Sequence, residues 1–273
     1  MRDLRQRLMD IAKSAENKRA EPPRAPEPTE GFFCREGVVP RGALGDIDRV
    51  TLEDVRACDP YFEGDCWSAE RLLFLDTETT GLSGGAGTVA FLVGLGYLRG
   101  DRFVVEQLLM RDYPDEAEML GAIAARMREF DAVCSFNGKN FDLPLLKARF
   151  AMCRMQDDWR DPEQLDLLYP ARRTWRMRIG SCRLSRIEEI ILGQGREHDL
   201  PGSEVPQRYF DYLRSGDMAL LTDIVNHNRQ DILTLGTLLA ALAARFKRVE
   251  EWIAPPVLAM KTVPVASFVI LAL

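Results

Sequence analysis

The spacing of apolar positions changes partway along this chain, and the change marks out its elements. An apolar run from Leu72 to Asp76 meets a Gly-rich stretch, GLSGGAGT, and is followed by VAFLVGLGYL and RFVVEQLLM. Alternation and β-branched residues in these runs predict strands, and their short connections imply an antiparallel meander. The period then lengthens. PDEAEMLGAIAARMREF opens with Pro114, carries acids in its first turn and spaces its apolar residues as a helix does, which are helix start signals. A strand AVCSF, a helix beginning near Asp142 and a long helical stretch from about Asp217 to Phe246 complete the pattern. The order strand, strand, strand, helix, strand, helix predicts an α/β domain: a mixed central sheet, antiparallel meander plus parallel strands, flanked by helices.

Outside this region the signal is weaker. Residues 1–20 suit a short amphipathic helix, and residues 21–30, EPPRAPEPTE, are a Pro/Glu-rich linker with too little apolar content to pack. The expected organisation is a flexible arm and linker over 1–30, an extension over 31–70 docking on the core, one domain over 71–250 and an apolar tail over 251–273. RVTLEDVRACDPYF is helical near its middle on this reading. From Val257 onward the tail is apolar, but Lys261 and Pro264 interrupt it and it falls short of the ~20 residues of a membrane helix. The charged N-terminus lacks the apolar core of a signal peptide.

Charge and cysteine usage narrow the class. A formal net charge of −6 argues against coating nucleic acid through the overall field, while leaving room for a local basic stripe. Six cysteines form no CxxC pair and no zinc spacing with the two histidines, His198 and His227, so they are expected as reduced thiols in a cytoplasmic protein. No protein partner is identifiable, and no membrane association is expected.

Candidate chemistry begins at Asp76 and Glu78, two apart at the end of the strand RLLFLDTETTG. Alternation along a strand puts both carboxylates on one face, with Leu73, Leu75 and Thr77 on the other. Two adjacent anions call for a cation, and a hard divalent ion with oxygen ligands meets that need. A two-metal phosphodiester site needs about four converging carboxylates. Asp142, in SFNGKNFDLPLL, sits at or next to a helix start, where an isolated Asp is more often only an N-cap. Asp231, in HNRQD, shares a helical face with His227 four residues earlier. Alone, that pair is more often a surface hydrogen bond, but beside a carboxylate cluster the imidazole is placed to orient or deprotonate a water.

DTETTG, NGKNFDLPLL and HNRQD, in this order, resemble the motifs of the DEDD (DnaQ-like) exonuclease superfamily, nearest to its YprB-like ribonuclease H-fold group, over roughly residues 70–246. The resemblance implies a ribonuclease H-like fold and a hydrolase of phosphodiester bonds, a 3′–5′ exonuclease on single-stranded or frayed 3′ ends of DNA or RNA. It implies that Asp76, Glu78, Asp142 and Asp231 hold two divalent cations, Mg2+ or Mn2+, and that His227 handles the attacking water. One departure stands out. His227 precedes Asp231 by four residues, the spacing of a tyrosine subtype, whereas the usual histidine position holds Asn226.

Around these residues, Asp166 is expected as a supporting acid, and Thr79, Thr80, Gly81, Leu82 and Asn137 as neighbours of the terminal nucleotide. Arg172, Arg173, Arg176 and Arg178, with Trp175, lie in ARRTWRMRIGSCRLSR, which has no acid. Guanidinium forks for phosphates and an indole for base stacking make this the expected nucleic-acid contact; the plain alternative is a solvated basic helix face. The glycines at 81, 84, 85 and 87 are not a P-loop, because no GK[ST] follows and the loop leads into a strand. His198 is expected to be structural. An endonuclease using the same acids and an inactive nucleic-acid-binding adaptor are the alternative functions.

Overall fold

The computed structural model of the chain describes residues 31–64, 68–81, 87–156, 158–196 and 200–253. Leu82, the 1–30 arm, His198 and residues 254–273 of the tail lie outside the described residues. Six strands form one sheet in the order β1-β4-β3-β2-β5-β6: β1 (Phe33–Pro40), β2 (Leu72–Thr79), β3 (Ala90–Arg99), β4 (Arg102–Leu109), β5 (Ala132–Ser135) and β6 (Glu163–Asp166). The β2, β3 and β4 strands form the antiparallel meander, while β5 and β6 extend the sheet in parallel beyond β2. Mid-sheet β3 is buried from Ala90 to Leu98, which is why it is apolar almost without interruption.

Alternation along β2 sorts the core into two layers. Leu73 and Leu75 face α2 (Glu116–Met127), α3 (Asp142–Met152) and α6 (Val205–Ser215). Leu72 and Phe74 face α1 (Leu52–Cys58), α4 (Leu168–Ile179) and the long α7 (Thr222–Ile253). Between α4 and α6 lie the single-turn α5 (Leu184–Ile187) and a π-helical turn, Glu188–Leu192. Within 31–70 the helix foreseen near the middle is α1, closed at its start by a reciprocal Thr51–Asp54 capping box.

That region also supplies an edge strand the hydrophobic pattern did not indicate. β1 pairs with β4 along its whole length, from Phe33 opposite Leu109 to Pro40 opposite Arg102, yet most of its side chains are exposed. An edge strand with one covered face has little apolar signal to show.

Two glycines in β3 determine how closely α7 approaches the sheet. A Cβ on Gly94 would lie 2.4 Å from Asn228 Oδ1, and one on Gly96 would lie 2.5 Å from Ile232 Cγ2. Asn228 and Ile232 are one helical turn apart, so α7 seats on β3 through both at once. Among the described residues no helix is long and apolar enough to cross a membrane.

Candidate active site

The carboxyl ends of β2, β5 and β6 meet the start of α3 and the first half of α7, and the predicted acids gather there. Along β2, Asp76 and Glu78 are half-buried while Thr77 and Thr79 are buried, so the two acids share the face that α7 covers. Asp76 lies directly opposite Gly94 across the β2–β3 ladder. Through the space left by that glycine, Asn228 donates from Nδ2 to Asp76 Oδ2 at 2.9 Å. Gln107 Nε2 in turn donates to Asn228 Oδ1 at 2.9 Å, which turns the amide so that its NH2 faces the carboxylate.

Asp142 arrives from the other face of the sheet. It is the first residue of α3 and is 6 % exposed. Its Oδ1 accepts from the Thr77 hydroxyl at 2.5 Å, and the cap position, Phe141, carries no side-chain cap bond. Asp142 is therefore not an N-cap but a buried carboxylate held against β2. Behind it, Asp166 Oδ1 accepts from the backbone N–H of Asn137 (2.8 Å) and Leu168 (3.0 Å), and Oδ2 from that of Lys139 (3.2 Å). Asn137 adopts a left-handed backbone, φ 70°. Asp166 thus ties the turn that aims α3 to the start of α4, a supporting position in the physical sense.

His227 and Asp231 present themselves together from α7. His227 Nε2 is 3.4 Å from Asp231 Oδ2 and 3.9 Å from Glu78 Oε1. Asn226, at the spacing of the usual histidine, is exposed. On the ring's other side Arg196 Nη1 lies 2.9 Å from His227 Nδ1. A guanidinium only donates, so Nδ1 accepts, and in the neutral ring the proton sits on Nε2, toward the carboxylates.

Arg196 is the functional neighbour that sequence reasoning missed. It ion-pairs with Asp231 and bonds Glu188 twice, Nε to Oε2 at 2.5 Å and Nη2 to Oε1 at 2.8 Å. Glu188 is fully buried at the head of the π-helical turn and also accepts from the Thr234 hydroxyl. π-Turns gather at functional sites, but nothing in a single sequence signals this one. Arg196 lies 35 positions from Asp231, and only the tertiary fold joins them.

The electrostatics follow from crowding acids in a dry place. Asp76 is raised well above the usual carboxylate range, first by burial and then by the charges of Asp231, Asp142 and Glu78, with the Asn228 bond opposing. Asp142 is pushed up to about 6, chiefly by burial and against the Thr77 bond. Asp231 is raised by burial, with His227 and Arg196 opposing. Among the described residues, no group of three or more carboxylate, histidine or cysteine side chains is gathered closely enough to form a metal cage. In kind, the donor set still fits a hard divalent cation: oxygen ligands surrounding Asp76, whose mutual repulsion a cation would relieve.

Other expected contacts fall differently. Thr79 is buried and its hydroxyl donates to Gly81 O at 2.7 Å, while Thr80 Oγ1 accepts from Val89 N at 3.0 Å, so these residues tie the end of β2 to the residue before β3. On α4, Arg172, Arg173, Arg176 and Arg178 are exposed. Trp175 corrects the expectation of a stacking indole: it is 6 % exposed and packs in the core beneath α4. Leu168, Ala171 and Trp175 form an i, i+3, i+7 apolar stripe that the sequence already carries. Arg173 reaches the carbonyls of Ala57 and Cys58 and lies 4.9 Å over the Phe246 ring, so it is spent on the fold. Beside the acids a cleft of about 530 Å3 opens, lined by Gln194, Arg196, Asn226, His227 and Gln230 among others.

A family model described as RNase_H superfamily matches residues 73–243. A relative from Bacillus subtilis (strain 168), described as uncharacterized protein YprB, is 34% identical over 171 residues, covering 62% of this chain and 41% of that protein; the chain thus spans under half the length of that relative. A solved structure of the family B DNA polymerase from the archaeon Pyrobaculum calidifontis aligns with a TM-score of 0.49 and 17% identity, over 68% of this chain and 25% of that one. With the family model spanning more than half of its length, from β2 through β6 and over all four acids, the chain belongs to the RNase_H superfamily.

Proposed function

We propose that this protein is a metal-dependent nuclease, a 3′–5′ exonuclease that hydrolyses phosphodiester bonds at single-stranded or frayed ends. The observation that carries the reading is the convergence of Asp76, Glu78, Asp142 and Asp231 from a strand and two helices, with His227 Nε2 3.4 Å from Asp231. Asp76, Glu78 and Asp231 would hold one Mg2+ or Mn2+ ion, and Asp76 with Asp142 a second. Such a pair of ions supplies neutralisation of the scissile phosphate and a more acidic bound water.

This chain's own residues orient and exclude. Asn228 fixes the Asp76 carboxylate, Thr77 fixes Asp142, and Asp166 sets the turn before α3. With Nδ1 accepting from Arg196, His227 offers Nε2–H to the acids' side of the site and orients a water there instead of taking its proton. Arg172 and Arg176, exposed on α4, would hold phosphate oxygens of the strand.

A second reading has its own observation. Arg196 already provides Asp231 with a counter-charge, which suits a nucleic-acid-binding adaptor of weak or no turnover. An endonuclease would use the same four acids. The deciding assay is a time course on 5′-labelled single-stranded DNA and RNA with Mg2+, Mn2+ or chelator, running Asp76→Asn in parallel. Metal-dependent shortening from the 3′ end, absent in the variant, supports the exonuclease; internal cuts indicate the endonuclease; salt-sensitive binding without cleavage indicates the adaptor.

A further inference from the structure

We propose that Tyr169, with Asn140, Arg172 and Arg176, forms a track that carries the single strand away from the acids, the Tyr169 ring serving as a platform for one base. The inference rests on the nuclease reading and names where its substrate lies. Tyr169 is 47% exposed on the first turn of α4, three residues past Asp166. Its hydroxyl accepts from Asn140 Nδ2 at 2.5 Å, and Asn140 belongs to the turn whose Asn137 and Lys139 amides are held by Asp166 and which leads into Asp142. The ring is thus one turn of backbone from a site carboxylate and is fixed there by a hydrogen bond.

Geometry and charge run on from that point. Arg172 and Arg176 follow Tyr169 at i+3 and i+7, on the same helical face, and both are exposed. The face extends about 10 Å from ring to second guanidinium, at 1.5 Å per residue. No acid lies within α4, and among the described residues neither arginine has an ion-pair partner. In a chain of net charge −6, a stripe of unneutralised guanidinium groups that begins at an exposed aromatic ring suits an extended polyanion with π-faces. Stacking on an aromatic ring is sequence-tolerant, and arginines follow the backbone. Tyr169 supplies the aromatic surface that the buried Trp175 does not.

The test is binding of fluorescein-labelled 12-mer single-stranded DNA and RNA, by anisotropy in chelator across a salt series, alongside cleavage with Mn2+. Tyr169→Ala should raise Kd about tenfold, while Tyr169→Phe, which keeps the ring, should stay within about twofold of wild type. Replacing Arg172 and Arg176 together by Ala should flatten the slope of log K against log salt by about 1.4 for single strands. In cleavage, Tyr169→Ala should raise KM with little change in kcat. Unchanged affinity in Tyr169→Ala, a Phe variant as weak as the Ala variant, or an unchanged salt slope would each overturn the track. If the wild type cleaves while these variants match it, the track alone is wrong. Binding through Tyr169 without cleavage keeps the track and rejects the nuclease, and absence of any binding rejects both.

Discussion

Replacing Asp142 by Asn should make the metal-free protein more stable while removing its activity. Asp142 is buried, and its carboxyl is pushed from the ordinary 3.8 to about 6. Each pKa unit is about 1.4 kcal/mol of differential interaction, so ionised Asp142 costs the folded state roughly 3 kcal/mol at pH well above 6. An Asn carbonyl still accepts from Thr77, and loss of the charge also relieves Asp76, which Asp142 repels. Imperfect fit of the amide reduces the gain to about 1 to 3 kcal/mol, or about 3 to 10 °C in Tm for a domain of this size. The sign is that of an acid whose folded pKa is raised: the penalty is absent below the unfolded value and complete above the folded one. Thermal unfolding followed by circular dichroism in EDTA should therefore show the largest advantage for Asp142→Asn at pH 7.5. The advantage should shrink through pH 6 and vanish near pH 4. A variant less stable than wild type at pH 7.5, or a difference that ignores pH, would refute the reasoning. Adding Mg2+ should stabilise the wild type more than the variant, which keeps Asp76, Glu78 and Asp231 for one ion but loses a ligand of the second, since a ligand that binds only the folded form stabilises it.

Asp166→Asn keeps the shape but weakens the acceptor of three backbone N–H groups; metal titration of cleavage should show about a 10- to 100-fold loss in metal affinity or rate, with the circular dichroism spectrum unchanged. Arg149→Met strands Glu116, whose carboxylate it bonds at 2.5 and 2.6 Å in a buried setting. Urea denaturation should show a loss of about 3 to 5 kcal/mol, recovered in large part by adding Glu116→Leu. Glu188→Gln removes one of the two carboxylates that hold Arg196 and should cost about 2 to 4 kcal/mol in the same assay, without changing affinity for a 12-mer.

What the sequence discloses here depends on how far apart the cooperating residues lie. The helices α2, α3 and α7 are written in local periodicity, because each lays an apolar stripe on the sheet, and β2, β3, β4 and β5 show as local apolar runs. Asp76 and Glu78 are legible for the same reason: strand alternation alone puts them side by side. β6, EQLD, has no apolar run to mark it, and β1 is an edge whose partner lies some seventy positions away. Asn228 and Arg196 carry no local mark. The first matters only because Gly94 lies opposite Asp76, and the second because a π-turn brings Glu188 under α7. Trp175 shows the opposite failure, since its apolar stripe was present and its chemistry suggested a surface role.

The two β3 glycines act as a spacer whose thickness is zero. Asp76 and Glu78 stand on the sheet, whereas His227 and Asp231 stand on a helix resting on that sheet at Gly94 and Gly96. The gap across which these acids face one another is therefore calibrated by a strand that contributes no ligand. A methyl group at Gly96 would come within 2.5 Å of Ile232 and 2.6 Å of the Phe103 ring, and lifting the helix clear of it takes up to about an ångström, more than the difference between the oxygen distances preferred by Mg2+ and by larger ions such as Ca2+. Ionic radius would then be selected from behind the site, by residues that no inventory of catalytic groups contains.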